Sequence, residues 1–159
     1  MPARLDAGGV GSVGPGWAVL VGWAVSTAVC LLQAVGFASR ARHGMAVNRT
    51  LGVVVAVLAL PATAALVGYV RAGSTWWVGP AVFDAFVVLM LVVDYLRPVV
   101  FRAPRRPAVL APYLVLFFGG IALLGAPMSA VDRRLWLVNL AAAVVLLAAM
   151  GVAMRRGRA

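Results

Sequence analysis

Several residue types that carry chemistry in proteins are missing or scarce in this sequence. It contains no lysine, one histidine (His43) and one cysteine (Cys30). Without lysine, a Schiff base with retinal or pyridoxal phosphate is excluded. A single histidine and a single cysteine also exclude bis-histidine haem ligation, a Cys/His zinc cluster and an intrachain disulfide. We therefore expect neither a metal nor a cofactor.

Negative charge is also scarce, because the only acidic residues are four aspartates, against fourteen arginines, for a formal net charge of +10. A strongly basic chain can indicate nucleic-acid binding. Here 64% of the 159 residues are hydrophobic, which is more than one soluble domain of this size can bury. The arginines flank apolar runs, so we interpret them as a topology signal and expect no nucleic-acid partner. The sequence predicts an integral protein of the cytoplasmic membrane, in contact with membrane lipids.

Five apolar runs have the length of about 20 residues that a transmembrane helix needs. They are Trp17 to Ser39, Ala46 to Val70, Trp76 to Leu96, Ala108 to Ala126, and Leu135 to Met154. The first run is too long for a signal peptide, so we take it as a mature helix. Short connections make neighbouring helices antiparallel. We therefore predict one all-α transmembrane bundle over residues 1–159; the sequence does not fix its oligomeric state.

The arginines alternate sharply between the two ends of these runs. One end has ten: Arg40, Arg42, Arg49, Arg97, Arg102, Arg105, Arg106, Arg155, Arg156 and Arg158. The other has four: Arg4, Arg71, Arg133 and Arg134. Because cytoplasmic loops carry the excess of positive charge, we predict that the N-terminus lies outside and the C-terminus in the cytoplasm.

The third run, in the stretch "VFDAFVVLMLVVDYLRP" (82–98), contains two aspartates. A carboxyl group in hydrocarbon is costly and usually functional. Asp94 precedes Arg97 by three residues, which favours an interfacial ion pair, with binding of a headgroup or substrate as the alternative. Ten residues separate Asp84 from Asp94, so the two differ by about 80° in direction and about 15 Å in height. They cannot share a proton or a metal.

Asp84 has no charged neighbour in the sequence, and we predict that it is a catalytic residue. Desolvation disfavours a charged carboxylate, and a carboxylic acid that stays protonated can donate its proton to a substrate. Possible hydrogen-bonding partners at the same depth are Ser26, Thr27, Thr63, Tyr69 and Asn139. The predicted substrate-binding residues are Trp76, Trp77, Phe83, Phe86, Trp136, Asn139, Tyr69 and Asp94. The structural alternative is that Asp84 only joins helices, for example through Asn139.

In size and composition the chain resembles the small membrane-bound terpene cyclases of bacterial meroterpenoid and prenyl-indole pathways. The resemblance lies in "WWVGPAVFDAF" (76–86), an acid among aromatic residues within a compact bundle. It implies an isoprenoid-type lipophilic substrate, cyclised after protonation by Asp84, with aromatic faces stabilising the carbocations. No DDxxD metal box is present, which argues against prenyl transfer from a magnesium-bound diphosphate.

Two other function classes fit the sequence. The first is a small proton-coupled transporter or exporter that uses Asp84 as its proton carrier. The second is an accessory membrane subunit without catalytic activity, whose polar groups bind a partner helix.

Overall fold

The computed structural model describes residues 13–96 and 107–156, with the backbone alone for residues 40–46 and 48. These residues form five helices that are long and apolar enough to cross a membrane, which confirms the predicted all-helical chain. The helices are α1 (Gly16–Ser39), α2 (Arg49–Arg71), α3 (Thr75–Leu96), α4 (Pro107–Val131) and α5 (Arg133–Arg155). The predicted Asp94–Arg97 pair, the arginines at 97–106 and the side chain of His43 fall outside the described residues.

Helices α1 and α2 are antiparallel although helical backbone runs without interruption over the 56 residues from Gly16 to Arg71. In a straight helix, residues 17 and 68 would be roughly 75 Å apart. A Cβ atom on Gly68 would instead lie 2.5 Å from the indole ring of Trp17 and 3.4 Å from the Cβ of Ala18. The chain therefore turns back on itself between Ala18 and Gly68.

A short turn with defined hydrogen bonds joins α2 to α3. The N–H of Ser74 donates to the carbonyl of Tyr69 (3.0 Å), and that of Gly73 donates to Val70 (3.1 Å). This is the Schellman arrangement, and its glycine has the required positive φ of 66°. The Ser74 side chain then accepts from the N–H of Trp76 at the start of the next helix. The sequence of this turn thus ends one helix and begins another within three residues.

Helix α3 changes its hydrogen-bonding pattern along its length. It begins with a 3-10 turn, Thr75–Trp77, continues as a regular α-helix, Val78–Met90, and ends as a π-helix, Leu91–Leu96. Pro80 lies in the first turn of the regular part, where the N–H that proline lacks would have no partner within the helix. Asp84 follows within the same regular α-helical part.

Helix α4 has a regular part, Pro107–Gly125, and after a turn a short helix, Met128–Val131, so it extends beyond the predicted end at Ala126. Helix α5 then follows directly. Asp132 accepts hydrogen bonds from the backbone N–H groups of Arg134 (2.8 Å) and Leu135 (3.3 Å). The carboxylate therefore caps α5.

Helices α3 and α4 approach each other most closely. A Cβ on Gly79 would lie 2.8 Å from the backbone of Leu123, and one on Gly120 would lie 3.0 Å from the Cα of Phe83. Both glycines are therefore needed for backbone-to-backbone contact. The main core lies beside this contact and includes Phe83, Phe86, Phe117, Leu124 and Leu146. A smaller core packs Tyr69 and Met128 against the start of α1.

Candidate functional site

Asp84 lies on the side of α3 that faces α2. The hydroxyl of Thr63 is 2.9 Å from Asp84 Oδ2 and also 2.9 Å from the carbonyl oxygen of Ala59, one turn earlier in α2. A threonine hydroxyl has one proton, so it cannot donate fully to both oxygens. The Thr63 proton is therefore shared between the two oxygens, and Oδ2 of Asp84 accepts.

The second oxygen of the Asp84 carboxyl group is buried and has no hydrogen-bond partner within the described residues. Leaving a buried polar atom unpaired is costly, and a charged one more so. The Asp84 side chain is half-buried and Thr63 is exposed. The acid therefore sits at the boundary between the interior of the bundle and its apolar surface, with one oxygen held and one available.

Residues of α2 and α3 that contact each other are spaced equally along the two helices. Eleven residues separate Thr63 from Gly52 on α2, and the same number separates Asp84 from Tyr95 on α3. Tyr95 lies against Gly52 and donates from its hydroxyl to the carbonyl of Arg49 (2.6 Å). The two helices thus stay in contact below the acid.

Above the acid, towards the turn, Val70 and Trp77 line one open groove of about 400 Å³. Val70 is seven residues from Thr63, and Trp77 is seven residues from Asp84, so both lie two helical turns from the acid on the same faces. We call this seam, defined by Thr63, Val70, Trp77 and Asp84, the α2–α3 crevice. The groove itself is lined by residues at the turn, namely Val70, Gly73, Ser74, Thr75 and Trp77, and the carboxyl group lies two helical turns further along the seam.

Phe83 and Phe86, which we predicted to bind substrate, lie in the main core with 0% and 1% of their surfaces exposed. The Phe86 ring packs on Phe117 and Tyr113, with centroids 5.1 and 5.2 Å away. At 100° per residue, Phe86 projects about 160° away from Asp84. The Phe86 ring therefore packs on α4, on the face opposite the acid.

The predicted aromatic residues Trp76, Tyr69 and Trp136 lie together in the smaller core, at the end of the bundle near the α2–α3 turn. The hydroxyl of Tyr69 is buried there and has no hydrogen-bond partner within the described part of the chain. Trp77 is 44% exposed and lies on the crevice. Among the predicted aromatic residues, Trp77 is therefore the one that lies on the crevice, on the same face of α3 as Asp84.

Asn139 is not bonded to Asp84 but lies in a separate buried cluster between α1, α4 and α5. Its side-chain amide donates to Ser26 (2.8 Å) and Thr27 (3.1 Å). The Ser26 hydroxyl in turn donates to the carbonyl of Ile121 (2.7 Å). These bonds join three helices to one another.

Asp94 lies in the π-helical end of α3. Its Oδ2 accepts a hydrogen bond from the hydroxyl of Tyr113 on α4 (3.2 Å). The adjacent Tyr95 instead points to α2, where the Arg49 guanidinium lies 5.9 Å from its ring centroid. The structure therefore places Asp94 at a contact between α3 and α4, away from the α2–α3 crevice.

Thr63 was one of several possible partners of Asp84, and the prediction did not include it among the site residues. Two features of the sequence single it out. It is the only hydroxyl-bearing residue between positions 51 and 68, and it lies as far before the Gly73–Ser74 turn as Asp84 lies after it. In a tight antiparallel helical hairpin, residues equidistant from the turn lie at the same level.

No group of three or more histidine, cysteine or acidic side chains that could hold a metal occurs within residues 13–96 and 107–156. Comparison of the chain with protein-family models, with curated proteins and with solved structures found no match. The function must therefore be argued from the site itself.

Proposed function

We propose that the protein crosses the cytoplasmic membrane five times, with its N-terminus outside. In support, large apolar side chains project outward from every helix and would face lipid. Examples are Val35, Leu60, Val88, Val115 and Val144, each at least 56% exposed. The excess of arginine at the opposite end supports this orientation. A reporter fused after Arg158 is expected to report a cytoplasmic location, and an external signal there would contradict the orientation.

Within this membrane protein, we propose that Asp84 is a general acid that protonates a lipophilic substrate in the α2–α3 crevice. The observation that carries the proposal is the asymmetry of its carboxyl group. One oxygen is held by Thr63, and the other is buried and has no hydrogen-bond partner in the part of the chain that the structure describes. Structural carboxyl groups in apolar surroundings are normally hydrogen-bonded on both oxygens, since an unpaired buried oxygen costs free energy. When the unpaired oxygen carries the proton of the acid, a double bond of a substrate in the crevice can accept that proton.

The reaction that suits these groups is the proton-initiated cyclisation of an isoprenoid-type substrate, as the resemblance to membrane-bound terpene cyclases implies. The Asp84 O–H bond breaks, a C–H bond forms at one carbon of a double bond, and the other carbon becomes a cation. A second double bond attacks that cation and closes the ring. Loss of a proton to the Asp84 carboxylate ends the reaction and regenerates the acid, so the conversion is a net isomerisation.

The remaining predicted residues take different places in this proposal. Trp77 lines the end of the crevice and can offer its ring face to a cation. Phe83 and Phe86 pack α3 against α4, and this packing fixes the position of α3 and so of Asp84. Water exclusion comes from the apolar surroundings and extends the lifetime of a carbocation.

The transporter alternative requires polar groups at several depths. The buried side chains of α3 between the two aspartates are apolar, namely Phe86, Val87, Met90 and Val93. This favours proton donation at one level over passage of a proton or solute along α3. The accessory-subunit alternative predicts that Asp84 can be replaced without any change in the lipids produced. The following experiment distinguishes this alternative from the enzyme hypothesis.

The test compares lipid extracts from a host lacking the gene and complemented with the wild type, Asp84→Asn or Asp132→Asn at matched membrane levels. Asp132→Asn is the matched control, since asparagine also caps helices well. We expect the wild type and Asp132→Asn to restore a cyclised lipid, and Asp84→Asn to accumulate its linear precursor. Equal complementation by all three would overturn the catalytic role and leave Asp84 as a structural contact.

A further inference from the structure

A second groove, distinct from the α2–α3 crevice, lies between the start of α1 and the end of α2. Its volume is about 630 Å³, within the range of small-molecule sites. We call it the Trp17 groove; it is lined by Pro15, Trp17, Ala64, Val67, Gly68, Arg71 and Ala72. Residues 64, 67, 68 and 71 recur at the spacing of one helix face, adjacent to the face that carries Thr63.

Small residues create the depression. A Cβ on Gly68 would lie 2.5 Å from the Trp17 ring, so only glycine lets α1 approach here with the indole lying over the helix. Ala64, an exposed residue about 6 Å further along α2, extends the shallow floor beyond Gly68. The floor is apolar and the groove is open along its length, so it fits a flexible hydrocarbon chain.

One end of the groove carries a positive charge. Among the described residues that line it, Arg71 is the only charged one, and no hydrogen bond or ion pair joins its guanidinium group to another residue of the described ranges. Arg71 is the last residue of α2, where an arginine of a transmembrane helix reaches the headgroup layer. Guanidinium groups bind phosphate oxygens in bidentate fashion. The charge and the apolar floor therefore complement the two parts of an anionic amphiphile.

We propose that the Trp17 groove binds an anionic glycerophospholipid, with the headgroup phosphate on Arg71 and one acyl chain beside the Trp17 ring, along Val67 and Ala64. The site lies at the arginine-poor end of the bundle, where general attraction by clustered arginines does not operate. Trp17 is 50% exposed at the same end of the bundle. Its position there fits the membrane–water interface, where tryptophan is enriched. The assignment is independent of catalysis at Asp84.

Native mass spectrometry of the detergent-solubilised full chain tests the proposal with phosphatidylglycerol and phosphatidylcholine as probes. We expect one phosphatidylglycerol to bind more tightly than phosphatidylcholine. Arg71→Gln should weaken the binding of phosphatidylglycerol about fivefold, because one basic residue near a membrane surface contributes about 1 kcal/mol. The control Arg134→Gln removes an exposed arginine from the same end of the bundle without touching the groove, and should leave binding unchanged.

A second variant tests the apolar floor without changing charge. Ala64→Leu fills the groove at an exposed position and should reduce phosphatidylglycerol binding, whereas Ala141→Leu, exposed on α5, should not. Equal losses for Arg71→Gln and Arg134→Gln would overturn the site in favour of unspecific charge attraction. A wild-type dimer that Ala64→Leu dissociates would overturn it as well, since the occupant would then be a second copy of the chain.

Discussion

The bundle contains two polar clusters in apolar surroundings, and they differ in how far their hydrogen bonds are completed. In the closed cluster, Ser26 and Asn139 are buried, and Asn139 bonds to both Ser26 and Thr27 while Ser26 bonds to a backbone carbonyl. In the open cluster, Thr63 is exposed and one oxygen of Asp84 is buried without a hydrogen-bond partner among the described residues. Both clusters join helices, yet of the two only the open one contains such a buried unpaired oxygen.

This difference separates a structural contact from a candidate site. A polar cluster that satisfies its own groups gains nothing from a ligand and resists exchange of partners. A cluster with a buried unpaired oxygen at the surface of the bundle gains a hydrogen bond when a ligand arrives. The comparison predicts that changes in the closed cluster alter stability, and changes in the open cluster alter activity.

The largest effect is expected for activity. With the substrate identified, Asp84→Asn should lower the turnover rate at least about 100-fold, the contribution of a general acid. Ser26→Ala, in the closed cluster, should leave turnover within about twofold of the wild type. Rates in membranes with matched protein content measure both. A Ser26→Ala variant that folds normally and is as inactive as Asp84→Asn would erase the distinction between the clusters.

The next largest effect concerns stability. A Cβ on Gly125 would overlap the side-chain amide of Asn139, so Gly125→Ala should displace the amide and break its bonds to Ser26 and Thr27. We expect a loss of about 1–3 kcal/mol in the free energy of unfolding, typical of overpacking. Denaturation in mixed micelles with increasing dodecyl sulfate provides the measurement.

Gly119→Ala is the control for this substitution, because the nearest atom to its Cβ would be a methyl of Val82 at 3.9 Å. It adds the same methyl group to the same helix without a clash. A loss of stability as large for Gly119→Ala as for Gly125→Ala would show that α4 tolerates no added methyl group, and the closed cluster would lose its assigned role.

The smallest effect is expected for Thr63→Val, which replaces the hydroxyl of the open cluster with a methyl group of similar size. A hydrogen bond between transmembrane helices contributes about 0.6 kcal/mol on average, so unfolding should change by no more than that. Turnover should fall, though less than for Asp84→Asn, because the acid remains but is no longer oriented. Unchanged turnover would mean that Thr63 does not position the carboxyl group.

The helices themselves were predictable from the sequence, because about 20 apolar residues between arginine-rich or glycine- and serine-containing connections leave one choice of structure. The side of each helix that faces a neighbouring helix was not predictable in the same way. Each helix is apolar around most of its circumference, so periodicity does not reveal which side meets a neighbour. For this reason the sequence grouped Asp84 with Asn139 and Phe86, whereas the fold bonds Asn139 to Ser26 and turns Phe86 towards α4.

The α2–α3 hairpin has a consequence for biogenesis. Its turn is fixed by local hydrogen bonds of Gly73 and Ser74, and its open end is joined by the bond from Tyr95 to Arg49. All these contacts lie within 47 consecutive residues, 49–95, so they do not depend on α1, α4 or α5. The two helices can therefore pair as soon as both have left the ribosome and enter the bilayer as one unit. The carboxyl group of Asp84 would then meet hydrocarbon with Thr63 already beside it.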